Sequence, residues 1–176
     1  MLAFFSLGFV DAGNDSFLPL YGIGLGLSER QSLWLLTILL IAITIAHLPS
    51  GWIADRMSRP TLLGLFAGLA GATAATLPFL PNEAWLLGLA AAALGLMIGS
   101  LWTVAVVMIG QTFRGVDLVH ANACEAALYG CGAVVGPILV GGSQQTLGLG
   151  SFPWLIAGAC LSVLASTALP PNRRER

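Results

Sequence analysis

The chain has 176 residues and a formal net charge of −1; 57% of its residues are hydrophobic and only 9% are charged. Soluble domains carry roughly 25% charged residues, so this composition leaves too little polar surface to cover a water-exposed globule. All seven cations are arginines and they form no basic patch for a phosphate backbone, so we expect no nucleic-acid partner. The composition excludes a soluble enzyme and predicts an integral membrane protein, surrounded by a lipid bilayer.

Six apolar segments have the length of a membrane-spanning helix, which needs about 20 residues. They lie at residues 2–24, 31–53, 61–80, 84–110, 118–142 and 152–170, and a basic tail follows at residues 171–176. The predicted fold class is therefore an all-α membrane protein with six transmembrane helices. Ser28 and Gln31 have the spacing of a capping box at the start of the second helix. Asn82 and Asp117 are predicted to cap the fourth and fifth helices.

The arginines predict the orientation of the chain in the membrane. If the six segments all cross the bilayer, six arginines fall on one side and only Arg30 on the other. Cytoplasmic loops carry the excess of Lys and Arg, so both termini are expected in the cytoplasm. Trp34, Trp85 and Trp154 then lie near the outer interface and Trp52 near the inner one, where tryptophan is enriched. We expect a protein of the bacterial cytoplasmic (inner) membrane.

The first segment contains a polar face inside its apolar sequence. Asp11, Asn14 and Asp15 are spaced i, i+3, i+4, so they share one side of a helix. Asp11 would lie about 13 Å deep, and an Asp at the centre of a spanning helix costs about 2.5–3.5 kcal/mol on insertion scales. Such a face is not expected to point at lipid. It is either a water-filled transport path or a polar packing seam between helices.

The connector after the second segment reads Gly51-Trp-Ile-Ala-Asp-Arg-Met-Ser-Arg59. It resembles the signature loop of the major facilitator superfamily (MFS), Gly-x-Leu-Ala-Asp-Arg/Lys-x-Gly-Arg/Lys-Arg/Lys. The positions that match in register are Gly51, Ala54, Asp55, Arg56 and Arg59. The positions that depart from the pattern are Ile53, Ser58 and Pro60.

This resemblance implies one six-helix half of a secondary transporter, which moves a small solute by alternating access. Each half of such a transporter is expected to hold two inverted three-helix repeats, and Pro49 and Pro137 lie at similar depths in the two triplets. The first and fourth helices of a half line the central cavity in this family. Asp11, Asn14, Asp15 and Trp102 are therefore predicted to line the path of the substrate or of a coupling proton, in antiport or symport. Asp55, Arg56 and Arg59 are predicted to form an inner gate.

The fifth segment carries further polar and small residues. Asn122 and Glu125 lie in its first turns, and Gly136 with Pro137 suggests a hinge. The Phe113-Arg114-Gly115 connector, Ala121-Asn122-Ala123 and Gly136-Pro137 resemble second halves of the family. The glycine-rich run around Pro137 also resembles an antiporter motif but has one residue too many, so close helix packing is the favoured interpretation.

The resemblance covers only half of the expected twelve spans. The chain is therefore a homodimer, the partner of a separately encoded half, or a truncated sequence, and we favour truncation. The alternative function is a non-transporting assembly or structural subunit, which should carry few intramembrane acids. An enzyme is not favoured because the sequence lacks His-Glu-x-x-His, Gly-x-Ser-x-Gly and phosphate-binding glycine loops. No catalytic residue, cofactor or metal ion is expected.

Overall fold

The computed structural model describes residues 2–168 of the chain, and they form a bundle of helices. The helices are α1 (Leu2–Gly24), α2 (Glu29–Ala54), α3 (Arg59–Thr76), α4 (Ala84–Thr112), α5 (Val116–Leu147) and α6 (Ser151–Ala168). A short 3₁₀ helix, Leu77–Phe79, continues α3 for one turn. Each apolar segment of the sequence lies on one helix. The largest difference in bounds is in α5, which continues to Leu147 instead of ending near residue 142.

The helix starts follow the sequence only in part. Ser28 and Gln31 form the predicted capping box: Gln31 N–H donates to Ser28 Oγ at 3.3 Å, and Ser28 N–H donates to Gln31 Oε1 at 3.0 Å. The predicted caps of α4 and α5 are wrong. The residue that precedes α4 is Glu83, so Asn82 lies outside that helix. The residue that precedes α5 is Gly115, so Asp117 lies inside that helix. Gly115 has φ 58°, a left-handed conformation that glycine adopts without steric cost.

Four of the helical stretches described are long and apolar enough to cross a bilayer. They are α2, α3 with its 3₁₀ turn, α4 and α5. The two acids and the amide of α1 lower its hydropathy, and α6 has only 18 residues. Six membrane crossings therefore remain a prediction, and residues 169–176, with the predicted basic tail, lie outside the described part of the chain.

The helices pack in pairs that relate the two halves of the sequence. The most extensive contacts join α2 with α4, α1 with α5, and α3 with α6, followed by α3 with α4 and α1 with α6. If α1, α2 and α3 are exchanged for α4, α5 and α6 in that order, these five pairs map onto one another. The next pair, α1 with α2, is much more extensive than its counterpart, α4 with α5, so the exchange holds for these five pairs.

The pair α1–α5 approaches backbone to backbone at glycines. A Cβ atom added to Gly132 would overlap the carbonyl oxygen of Phe5, and one added to Gly136 would lie 2.6 Å from the carbonyl oxygen of Phe9. Glycines four residues apart lie on the same side of a helix, so they form a shallow groove for the neighbouring backbone. This groove places α5 closely against the side of α1 that carries Phe5 and Phe9.

The pair α2–α4 uses the same device. A Cβ atom on Gly95 would overlap the carbonyl oxygen of Leu39, and one on Gly99 would lie 2.5 Å from that of Ile43. Both pairs are thus fixed by two glycines one turn apart. Their close approach leaves little room for larger side chains. It holds α5 beside α1 and α4 beside α2.

The outer surface of the bundle is apolar. α2 and α5 are the least covered of the four long stretches. In their most apolar 18-residue segments, 28% and 17% of the residues are buried. Four tryptophans near helix ends are each more than half exposed, and they are Trp34, Trp52, Trp85 and Trp154. These are the positions that the sequence assigned to the two membrane interfaces.

Candidate functional site

The three polar side chains of α1 occupy different environments. Asn14 is completely buried, Asp11 is half-buried and Asp15 is exposed. The helical spacing therefore places them on one side of α1. The packing of the bundle buries that side at Asn14 and leaves it exposed at Asp15. Asp11 lies where the two parts meet.

The Asp11 carboxylate is bound by a residue that the sequence analysis missed. The hydroxyl of Tyr129, on α5, donates a hydrogen bond of 3.1 Å to Asp11 Oδ2. Tyr129 is half-buried and lies 118 positions away in the sequence. A tyrosine inside an apolar helix needs a partner for its hydroxyl. That need is the one sequence signal for Tyr129, but it does not identify the partner.

Trp102 joins the same group through aromatic contacts. Its ring meets that of Tyr129 edge to face, with centroids 5.1 Å apart, and that of Phe4 with centroids 6.2 Å apart. Phe4 and Asp11 lie two turns apart on α1, so the pair Trp102–Tyr129 spans the distance between them. The structure thus brings together Asp11 and Trp102, two of the predicted pathway residues, with Tyr129 between them.

Three buried polar atoms beside this contact have no hydrogen-bond partner. They are Asp11 Oδ1 and both side-chain amide atoms, Oδ1 and Nδ2, of Asn14. A buried polar group without a partner costs about 1–3 kcal/mol. Such atoms are found where a ligand, an ion or a water molecule completes the site. The arrangement offers the two N–H donors of the Asn14 amide and two acceptor oxygens to a small polar species.

The signature-loop residues lie at the end of α2 and the start of α3. The N–H of Asp55 caps α2 by donating to the carbonyl oxygen of Gly51, and the side chain of Asp55 is exposed. The guanidinium of Arg56 stacks on the ring of Trp52, 3.4 Å from its centroid. Arg59 is half-buried, and its Nε has no partner. The loop therefore presents one acid and two cations at the bundle end.

The predicted residues of α5 are spread along the helix. Asn122 is exposed and Glu125 is half-buried one turn before Tyr129. Gly136 is buried in the contact with α1, and Pro137 lies inside a helix that continues to Leu147. Gly136 thus acts in packing, while Asn122 and Glu125 lie on the same stripe as Tyr129.

A second polar contact joins α2 and α4 and was also missed. His47 Nδ1 lies 2.9 Å from Thr103 Oγ1, and Ser50 Oγ donates to Ser100 Oγ at 2.6 Å. Ser50 and Ser100 are buried, and Ser100 Oγ in turn donates to the backbone carbonyl of Leu96, one turn earlier.

Within residues 2–168, no group of three His, Cys, Asp or Glu side chains is placed to hold a metal ion. The long apolar helices are those of an integral membrane protein. The family model of the Major Facilitator Superfamily matches residues 1–176, so the chain belongs to this family of transporters. No curated protein matches the chain.

Proposed function

We propose that the chain forms a six-span half of a secondary transporter and that the polar face of α1 lines its transport path. The main support is the buried Asn14, whose amide has no partner, beside the free Oδ1 of Asp11. A packing seam would pair these atoms with neighbouring helices. Atoms that lack partners in the closed bundle are available to a solute or a coupling ion.

The coupling ion in this proposal is a proton carried by Asp11. A carboxylate near the middle of a membrane is costly as a charge and less costly when it is protonated. Asp15, one turn away, adds repulsion between two negative charges. Asp11 therefore gains a proton when it faces one side of the membrane and loses it when it faces the other. A cationic substrate would displace the same proton, which makes cation/proton antiport the specific form of the proposal.

The pathway requires a second six-helix unit. It is the other part of the same chain, a separate chain or a second copy, and it would cover the exposed sides of α2 and α5. The exchangeable packing of the two triplets supports a pair of inverted repeats within this half. Residues 1–170 would then form one transmembrane domain, with the tail and the N-terminus in the cytoplasm of a bacterial inner membrane.

The test is transport by the complete assembly in proteoliposomes, with ethidium as a fluorescent cation and external pH as the variable. Asp11→Asn removes the titratable group and is expected to abolish the dependence of ethidium transport on the pH gradient. Asp15→Asn is expected to shift that dependence. Asp117→Asn, the same change at the exposed start of α5, is the matched control and should transport normally.

An unchanged rate and an unchanged pH dependence in both Asp11→Asn and Asp15→Asn would contradict the proposed path. The polar face would then act in packing, as expected for an assembly subunit. Loss of folded protein in these variants, with Asp117→Asn intact, would favour the same packing role.

A further inference from the structure

We propose that Tyr129 is a positioning residue that holds one oxygen of the Asp11 carboxylate and thereby presents the other oxygen to the transported proton. This inference rests on the proposed role of Asp11. It differs from that role because it assigns a separate task to a residue of α5. The observation that supports it is that only one of the two carboxylate oxygens of Asp11 accepts a hydrogen bond.

The two oxygens of Asp11 differ in their contacts. Oδ2 accepts the hydroxyl of Tyr129, whereas Oδ1 is buried and has no partner. A carboxylate whose oxygens were both free could rotate about its terminal torsion, which is broad and roughly two-fold. The hydrogen bond from Tyr129 selects one orientation. Oδ1 is then the atom that remains to accept a proton.

The ring of Tyr129 is fixed as well as its hydroxyl. Trp102 of α4 meets it edge to face, and the ring planes are inclined by 75°. Two helices thus act on one carboxylate: α5 supplies the donor, and α4 holds the ring that carries it. A movement of α4 or α5 relative to α1 would break or remake this hydrogen bond.

Three titratable groups surround Asp11. Tyr129 lies on α5, Asp15 lies one turn away on α1, and Cys160 lies on α6. Of these, only Tyr129 makes a hydrogen bond to the carboxylate. A change that removes that hydroxyl and keeps the ring therefore isolates the proposed contact.

The experiment is infrared difference spectroscopy of the complete transporter in lipid, between acidic and alkaline buffer. The protonated-carboxyl band that disappears in Asp11→Asn identifies the Asp11 group. In Tyr129→Phe this band is expected to move to higher wavenumber, because its carbonyl loses a hydrogen-bond donor. The same variant is expected to slow ethidium-driven proton movement by about tenfold, the effect of losing a hydrogen bond to a charged group.

The matched control is Tyr21→Phe, the same change at the other tyrosine of the chain. Tyr21 lies near the C-terminal end of α1 and packs on Phe152 of α6. The Asp11 band should therefore not move in this variant. An Asp11 band that stays in place in Tyr129→Phe would overturn the inference, and so would failure of this variant to fold. If Asp11→Asn removes no band and leaves transport unchanged, the proposed function itself fails, whatever Tyr129 does.

Discussion

Gly132 lies where the backbones of α1 and α5 touch, and Gly130 lies two residues earlier on the open side of the same helix. A Cβ at Gly132 would overlap the backbone of α1, whereas a Cβ at Gly130 would have no atom within 4 Å. The same residue type thus has opposite roles at neighbouring positions. At Gly132 glycine permits the packing of two helices, and at Gly130 it only lowers helix propensity.

These two glycines give a prediction in which the two substitutions have opposite signs. Gly132→Ala is expected to destabilise the protein by about 1–3 kcal/mol, because overpacking displaces backbone that cannot move away. Gly130→Ala is expected to be neutral or to stabilise it by up to about 1 kcal/mol through helix propensity. Thermal unfolding of the two purified variants in one detergent provides the comparison. Equal effects would mean that α1 and α5 do not meet at Gly132.

The sequence predicts that Asp11, Asn14 and Asp15 share a face, but it does not predict that Tyr129 binds Asp11. The spacing of Asp11, Asn14 and Asp15 places them on one side of a helix, and their energetic cost in lipid turns that side inward. Both steps depend on residues close in sequence. The partner of Asp11 is 118 positions away, and the periodicity of one helix does not say which other helix it meets. The burial of Asn14 beside an exposed Asp15 likewise depends on the neighbouring helices.

At the scale of elements, helix starts were predictable where a side chain supplies the cap. The side chains of Ser28 and Gln31 each accept the backbone N–H of the other residue, as their spacing in the sequence predicts. Asn82 and Asp117 were incorrect choices because α4 begins after Glu83 and α5 begins after Gly115. In neither case does a side chain of the N-cap residue bind the helix. At α5 the backbone conformation of Gly115, with φ 58°, directly precedes the first helical residue.

The capping box therefore makes a testable contribution. Ser28→Ala removes the acceptor for the N–H of Gln31 and is expected to cost about 1 kcal/mol. Ser58→Ala is the comparison, since Ser58 precedes α3 without capping it through its side chain. Chemical denaturation in detergent should give the larger loss for Ser28→Ala. A larger loss for Ser58→Ala would show that the bond between the hydroxyls of Ser58 and Thr61 matters more than the cap.

The connector between α2 and α3 carries a second prediction at this scale. Its exposed Asp55 can form charge-assisted pairs with a facing half when the cytoplasmic side closes, and such pairs would bias the closed state by a few kcal/mol. Asp55→Asn is expected to reduce ethidium transport in the complete assembly and to leave expression unchanged. Glu83→Gln, the same loss of charge before α4, should have no such effect. Normal transport by Asp55→Asn would limit the loop to its topological role.

At the scale of the whole molecule, the arrangement of helices is more regular than their sequences. The five principal helix pairs exchange when the two triplets exchange, although α1 carries two acids and α4 carries none. Six helices could be predicted from apolar length alone. The pairing of α1 with α5 and of α2 with α4 could not, because the glycines that fix it contact distant backbone.

The number of membrane crossings is the prediction that belongs to the whole molecule. α1 and α6 are the helices in question, since α1 is polar in its middle and α6 is described only as far as Ala168. In a six-span arrangement, the connector between α5 and α6 is outside and the chain end is inside. If α1 and α6 stayed out of the bilayer, both of these positions would lie on the same side as the loop before α4.

Cysteine labelling of intact cells with an impermeant maleimide distinguishes these arrangements. The background has Cys124, Cys131 and Cys160 replaced by serine or alanine. Gly150→Cys, in the exposed connector, should react from outside, whereas a cysteine added after Arg176 should react only once the membrane is permeabilised. The six-to-one distribution of arginines is the physical reason, since their charge retains loops in the cytoplasm. Reaction of both cysteines from outside would exclude six spans, because α6 would then not cross the bilayer.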